Sequence, residues 1–419
     1  MIGKLRASLA SLGFILIFAP ALSGCNAVGM AETGASLGAH MTDNVAQGAS
    51  NIGGLFSRRP DGAPYREAIF VVSTRKKGHP GLLNPGGKAR DSLDFISVPP
   101  GHEAGTIERP SFGKPDPKRH FALIERRKLD DQAFQAAIAA HLSGRIGVNR
   151  DVLIYVHGFN TSLGEARFRL AQIVYDGKFG GVPVLFTWPS KTGLLSYGAD
   201  KETAAASRDA FLKTLTEISQ APGIGRIHIL AHSMGAWITM ETLREAALAG
   251  APNLHGKLGD VMLAAPDIDL SVFRQQLQRL DPSHISVFVS KDDRALQVSA
   301  GIQGDRRLGS LDPGSTRDRE LIQKLGIRVF DISEFSSGFI GHDNYEAPQV
   351  VKQIGKEIAE PRASDGGQAV IDAGADRTPR PPPDYISRQP LQPPSAASAS
   401  GPHTVTPESP APATPQSGQ

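Results

Sequence analysis

Cysteine is almost missing from this chain of 419 residues: it occurs once. One thiol cannot close an internal disulfide, nor build a Cys-rich zinc site. An excess of one charge is also missing. Lys and Arg number 45 against 42 Asp and Glu, a formal charge of +3, and no basic run marks a nucleic-acid surface. Hydrophobic residues at 40% and charged residues at 21% sit slightly below the usual range for a packed soluble protein, which implies that part of the chain stays unpacked. No internal repeat is found.

The single cysteine is Cys25. Lys4 and Arg6 precede an uncharged apolar stretch from Leu9 to Leu22, and Leu22-Ser23-Gly24-Cys25 follows. A basic start, a short apolar segment and small residues in that order describe a secretory signal peptide. The apolar stretch is shorter than the roughly 20 residues that a membrane-spanning helix needs, and Pro20 breaks its end. Leu-Ser-Gly-Cys resembles the lipobox of bacterial lipoproteins. That resemblance implies cleavage before Cys25 and attachment of lipid (palmitate among the acyl groups) to its sulfur. With Asn rather than Asp at position 26, it further implies anchoring to the outer membrane, facing the periplasm. The alternative is ordinary signal cleavage after Ala19-Pro20-Ala21, which would leave Cys25 an incidental thiol on a soluble periplasmic or secreted protein.

Composition divides the rest. Residues 26–60 are rich in Gly, Ala, Ser and Asn without a steady apolar period and read as a flexible tether after the 1–25 leader. Residues 359–419 hold 13 of the 31 prolines, and Tyr385 is their only aromatic residue. Such a segment buries too little apolar surface to offset its ordering entropy and is expected to be disordered. Pro381-Pro382-Pro383 could dock a partner as polyproline II, though no partner is identified. Between them, 61–358 is expected to form one domain.

Within that domain strand-like and helix-like segments alternate. Strands are expected at 68–72, 121–124, 152–156, 182–186, 227–230, 261–265, 285–289 and 327–330, with a loop-rich stretch from 73 to about 118. Helices are expected at 131–142, 164–175, 201–219, 234–248 and 347–358. Val152-Leu153-Ile154-Tyr155-Val156 is a continuous apolar run, as a strand buried on both faces requires. The alternation predicts an α/β fold, a mainly parallel sheet with helices on both faces.

Three motifs carry chemistry. Ala231-His232-Ser233-Met234-Gly235 lies between a predicted strand and a predicted helix. A serine on such a turn is lifted above the sheet, and the Met234 N–H at the helix start can face a developing oxyanion. The alternative is a serine that simply caps a helix. His157-Gly158-Phe159-Asn160 follows the 152–156 strand and resembles the oxyanion-hole loop of α/β-hydrolases, with the Phe159 N–H as second donor. A turn capped by Asn160 or Ser162 is compatible with that role. Finally, an α/β-hydrolase base must follow both serine and acid. After Asp293 only His342 and His403 remain, and His403 lies in the tail. His342 is therefore the expected base; an isolated, exposed loop histidine is its other reading. Asp293 is preferred as the acid over Asp292. Asp267 and Asp269 are the fallback, with helix capping near Leu270 as their other role.

Five ordered blocks extend the resemblance: 152–162 (VLIYVHGFNTS), 186–190 (FTWPS), 231–235, 263–269 (LAAPDID) and 289–296 (VSKDDRAL). The stretch 68–358 is similar to a bacterial α/β-hydrolase family of uncharacterised function. That resemblance implies the α/β-hydrolase fold and a Ser233–His342–Asp293 triad, and it supports Asp293 over Asp292. No metal or organic cofactor is needed for such chemistry. The interval between the 261–265 and 285–289 strands holds about one helix, which excludes a large cap domain there. Trp188, Leu195 and Tyr197 are expected in the substrate pocket. The 194–197 loop could instead pack on the helix that follows. The expected substrate is a small acyl ester or a lipid ester. The rival reading is a non-catalytic envelope lipoprotein that uses the fold to bind a cell-wall or protein partner, although such a module has no need of all three triad groups.

Overall fold

The apolar runs become the middle of one nine-stranded sheet. A computed structural model describes residues 62–191, 196–303, 306–335 and 342–359. The expected leader, Cys25, the tether from 26 to 60 and the tail beyond 359 lie outside them. The strands are β1 (Tyr65–Ser73), β2 (Arg75–Lys76), β3 (His79–Leu83), β4 (Arg90–Val98), β5 (Ala122–Leu129), β6 (Val152–Val156), β7 (Val182–Thr187), β8 (Ile227–His232), β9 (Leu258–Ala264), β10 (Ile285–Val289) and β11 (Arg328–Asp331). Sheet order is β11-β10-β9-β8-β6-β7-β1-β4-β5, with β2 and β3 paired separately. Every pairing from β11 to β1 is parallel. The β1–β4 and β4–β5 pairings are antiparallel.

The helices are α1 (Asp131–Leu142), α2 (Leu163–Asp176), α3 (Tyr197–Ala206), α4 (Arg208–Ser219), α5 (Met234–Leu248), α6 (Leu270–Leu277), α7 (Arg294–Gln303), α8 (Thr316–Leu325) and α9 (Pro348–Ala359). They cover both faces of the sheet. Because side chains alternate along a strand, β6 sends Val152, Ile154 and Val156 into one core with Phe134 of α1, Phe211 of α4 and Leu243 of α5. It sends Leu153 and Tyr155 into the other, with Leu170 of α2 and Ile354 of α9. Two covered faces explain why the run carries no polar alternation. Among the described residues no helix is long and apolar enough to cross a membrane.

Three expectations change. The stretch read as loop contains β4, which pairs with β1 from Tyr65↔Val98 to Ser73↔Arg90. Its charges concealed it. Asp94 is fully buried, paired with Arg167 at 2.5 Å and Arg126 at 3.1 Å and accepting from the Ser92 hydroxyl at 2.8 Å. The predicted 201–219 helix is two helices broken at Ser207, whose hydroxyl bonds back to Thr203 O at 2.8 Å and meets Thr74 Oγ1 at 2.9 Å. Such back-bonding competes with the helix ladder. Helices α7 and α8, between β10 and β11, were not anticipated. Between β9 and β10 the sequence holds α6 and one short 3-10 turn, so no large cap is inserted there.

The Asp94 cluster yields a stability prediction. Asp94→Ala leaves the buried Arg167 guanidinium without its carboxylate, and breaking a buried pair from one side costs roughly 3–5 kcal/mol. Denaturant unfolding monitored by circular dichroism should show that loss. A variant within about 0.5 kcal/mol of the parent, the range of ordinary surface changes, would contradict it.

Candidate active site

In open α/β sheets ligands bind beyond the carboxyl ends of the strands. The sequence-predicted residues gather at that edge, because each follows a parallel strand: His157 to Phe159 after β6, Ser233 after β8, Asp293 after β10 and His342 after β11. A cavity of about 900 Å³ opens there, and Ser233, His342, Phe159 and Tyr197 all line it.

Ser233 sits at φ 52°, ψ −119°, a strained conformation for a residue with a Cβ. The neighbouring strand holds it: Ser233 N–H donates to Ala264 O at 3.0 Å, and Ser233 O accepts from Ala236 N–H at 3.0 Å and Asp267 N–H at 3.3 Å. Its hydroxyl makes no helix-capping hydrogen bond, so the capping alternative is not adopted and the side chain is left to the cavity. Glycine is needed at 235, where a Cβ would stand 2.4 Å from His157 O and 2.6 Å from Val156 O. At 231, alanine is accommodated fully buried. A Cβ on Gly158 would meet His232 Nδ1 at 2.7 Å and Ser233 Cβ at 2.9 Å. The 157–159 loop can therefore approach the serine turn only with glycine at that position.

His342 Nδ1–H donates to Asp293 Oδ2 at 2.7 Å. The carboxylate can only accept, so it places the proton on Nδ1 and leaves Nε2 unprotonated. Burial pulls the His342 pKa down, but the hydrogen bond and charge of Asp293 outweigh it, and the pKa is raised above 6.5. The imidazole keeps 17% of its surface exposed, enough to meet a ligand. Asp293 Oδ1 accepts from Leu296 N–H at 3.0 Å at the start of α7, which locks the carboxylate's orientation. Among the described residues no hydrogen bond joins Ser233 Oγ to His342; such bonds often close only when substrate binds.

The other acids do not bond His342. Asp292 is exposed. Asp269 caps α6. Asp267 is engaged by Arg307 at 3.3 Å, Ser299 Oγ at 2.8 Å and the Tyr197 hydroxyl. Ser162, rather than Asn160, caps α2 through a reciprocal box with Glu165.

The pocket residues fall in three places. Tyr197 lines the cavity, with its ring 5.6 Å from that of Phe159. Leu195 lies outside the described residues. Trp188 is a correction: it is fully buried, its indole N–H donates to His157 O at 3.0 Å and its ring stacks on His157 at 5.2 Å. It braces the loop and does not line the cavity. Met234 opens α5 with its side chain in the core, and only its N–H is left to serve the site.

Sequence reasoning missed several members. His232 packs 4.7 Å from the His342 ring and 4.4 Å from Tyr345, and its Nε2–H donates to His342 O at 3.3 Å. Burial, with the His342 charge, holds its pKa well below 6.5, so it stays neutral. Its position beside the serine was the available signal. Ile107 and Arg109 reach the cavity from the β4–β5 connection, and Arg75 lies beneath the His157 loop. Nothing local in sequence marked these three. Among the described residues no group of three or more His, Cys, Asp or Glu side chains could hold a metal ion.

A mainly parallel sheet with a serine turn and a late Asp–His pair at its carboxyl edge defines an α/β-hydrolase. The sequence agrees: residues 130–358, more than half of the chain, match the family model described as alpha/beta hydrolase of unknown function (DUF900). The chain belongs to this family. No curated protein matches the chain. Among solved structures it is similar to carboxyl esterase 2 from the mycorrhizal fungus Tuber melanosporum, at 12% identity and TM-score 0.36, covering 73% of this chain and 89% of that one. The Pyrobaculum calidifontis esterase shares 10% identity at TM-score 0.33, covering 77% and 92%. A predicted CIB-like hydrolase from Thermoplasma acidophilum shares 13% at TM-score 0.32, covering 71% and 98%. None of these likenesses extends to activity.

Proposed function

We propose that the protein is a serine hydrolase that cleaves carboxylic esters through an acyl-enzyme. The observation that carries this reading is the 2.7 Å bond from His342 Nδ1 to Asp293, in the same cavity as a serine raised on a strained turn. A histidine whose Nδ1 proton is engaged offers Nε2 as a general base.

In the proposed reaction Ser233 Oγ attacks the acyl carbonyl while His342 Nε2 takes its proton. Asp293 stabilises the imidazolium that forms. The N–H groups of Phe159 and Met234 receive the oxyanion. His342 then returns the proton to the leaving alcohol, and water, activated by the same imidazole, releases the acid. Phe159, Tyr197, Leu296 and Ile107 give the cavity apolar wall, which suits an acyl chain.

The test is a fluorophosphonate probe with the adduct mapped by mass spectrometry, alongside hydrolysis of short and long p-nitrophenyl esters. Labelling at Ser233 with turnover of at least one ester class supports the reading. No adduct and no turnover would favour a binding module on the hydrolase fold. The envelope anchor at Cys25 is a separate proposal. Palmitate should be incorporated into the full chain and lost in Cys25→Ser; an unlabelled parent chain would overturn it.

A further inference from the structure

The loop that carries the Phe159 N–H is held by an unusual buried cation. Arg75, only 2% exposed, starts the short strand β2 and lies outside the 130–358 stretch that matches the family. Its Nε–H donates to Thr187 Oγ1 at 2.8 Å, and its Nη2 reaches Thr161 O at 2.8 Å and His157 Nε2 at 3.1 Å. Nη1 donates to Pro80 O at 3.1 Å and Ser190 O at 3.4 Å. These hydrogen-bond partners are neutral. Burial lowers the Arg75 pKa, and the charges of Asp200 and Glu165 offset part of that cost through space, while its hydrogen bonds go to carbonyls, a hydroxyl and an imidazole.

These contacts settle the state of His157. A guanidinium only donates, so His157 Nε2 must accept from it and cannot carry a proton. Thr187 Oγ1, already accepting from Arg75, turns its own hydrogen to the same Nε2 at 2.9 Å. The His157 proton therefore resides on Nδ1, which donates to Gly158 O at 2.8 Å. Gly158 O belongs to the same peptide unit as the Phe159 N–H. That unit is planar and trans, and no cis peptide occurs among the described residues. Its carbonyl and its N–H thus point in opposite directions, and whatever fixes Gly158 O fixes the aim of the Phe159 N–H. A hydrogen bond accepted at the carbonyl also polarises the unit and strengthens its donor.

We infer that Arg75 is a positioning residue of the oxyanion hole: by holding His157 as the Nδ1–H tautomer, it pins Gly158 O and turns the Phe159 N–H toward Ser233. This rests on the serine-hydrolase reading and adds a layer beneath it. Trp188, bonded to His157 O and stacked on its ring, adds a second restraint on the same residue. The contribution comes from the N-terminal strands, where no catalytic motif is found.

The experiment uses the full chain, its variants Arg75→Met, Arg75→Lys and Thr187→Val, and NMR of 15N-labelled histidine. With a p-nitrophenyl ester, Arg75→Met should lower kcat by about 10²–10³-fold, the effect of losing one oxyanion donor, with KM nearly unchanged. Arg75→Lys should restore part of the loss, and Thr187→Val should give a smaller loss of the same kind. In the parent chain His157 should show the neutral Nδ1–H tautomer across about pH 5–8, the range in which an ordinary histidine titrates. A folded Arg75→Met variant with parent kcat, or an Nε2–H tautomer in the parent, overturns the inference. If Arg75→Met does not fold, the parent tautomer and Thr187→Val decide. An inactive, unlabelled parent chain sinks the hydrolase reading instead, and the tautomer still reports separately on the Arg75–His157–Gly158 chain.

Discussion

Replacing Ser233 with alanine should remove ester hydrolysis almost entirely, lowering kcat on the order of 10⁴–10⁶-fold. The size follows from the way a triad works as a unit: without the nucleophile, neither the base nor its carboxylate has a proton to move, and only the oxyanion donors and binding remain. The same change should leave the fold intact. Alanine and serine meet the φ of 52° equally, since each carries a Cβ, and the Ser233 hydroxyl caps no helix. Unfolding free energy should therefore stay within about 0.5 kcal/mol of the parent, as for substitutions that remove no contact. Kinetics and denaturant unfolding on one preparation separate the two effects. A stable Ser233→Ala protein that still hydrolyses the ester at the parent rate would rule out Ser233 as nucleophile.

Asp293→Asn should cost about 10⁴-fold in kcat. An amide can donate to His342 Nδ1, which moves the imidazole proton to Nε2, where it blocks acceptance of the serine proton. Asparagine keeps a side-chain oxygen for Leu296 N–H, so the start of α7 is preserved; alanine would add the loss of a cap, about 0.5–2 kcal/mol, and blur the reading. The pH profile gives a second, independent signature. A general base acts only when neutral, so kcat/KM should rise as pH passes upward through the His342 pKa. In the parent chain burial pulls that pKa down, but Asp293 raises it further, so the acidic limb should have its midpoint above pH 6.5. Without the carboxylate charge, burial dominates, and the limb should move to lower pH. A limb that stays in place in Asp293→Asn would mean that another group sets it.

Much of this was legible in sequence, and for a local reason. Strand β6 is covered on both faces, so its five residues are uniformly apolar and stand out without any partner being known. The serine turn is legible for the same reason: strand, turn and helix are contiguous from Ile227 to Leu248. His342 followed from order along the chain. Strand β4 was not legible, because its Asp94 is neutralised by Arg126 and Arg167, both distant in sequence. Glycine and proline on its N-terminal side added to the appearance of a loop. Trp188 was misplaced since an aromatic residue beside a site reads as pocket wall, whereas the indole N–H had a carbonyl to satisfy in the loop.

The sequence by itself determined the fold class and picked out Ser233 and His342 as candidates in the order serine, acid, histidine, because periodicity and chain order are local properties. The sequence preferred Asp293 to Asp292, and the tertiary structure supplied the physical reason. The two are adjacent, but one lies exposed and the other is turned inward against an imidazole 49 residues away. Only the tertiary structure brought Arg75 under a loop 82 residues further along the chain. Side-chain direction and long-range hydrogen bonding depend on how strands are placed side by side, and that placement is set by packing of the whole sheet, not by any short run of residues.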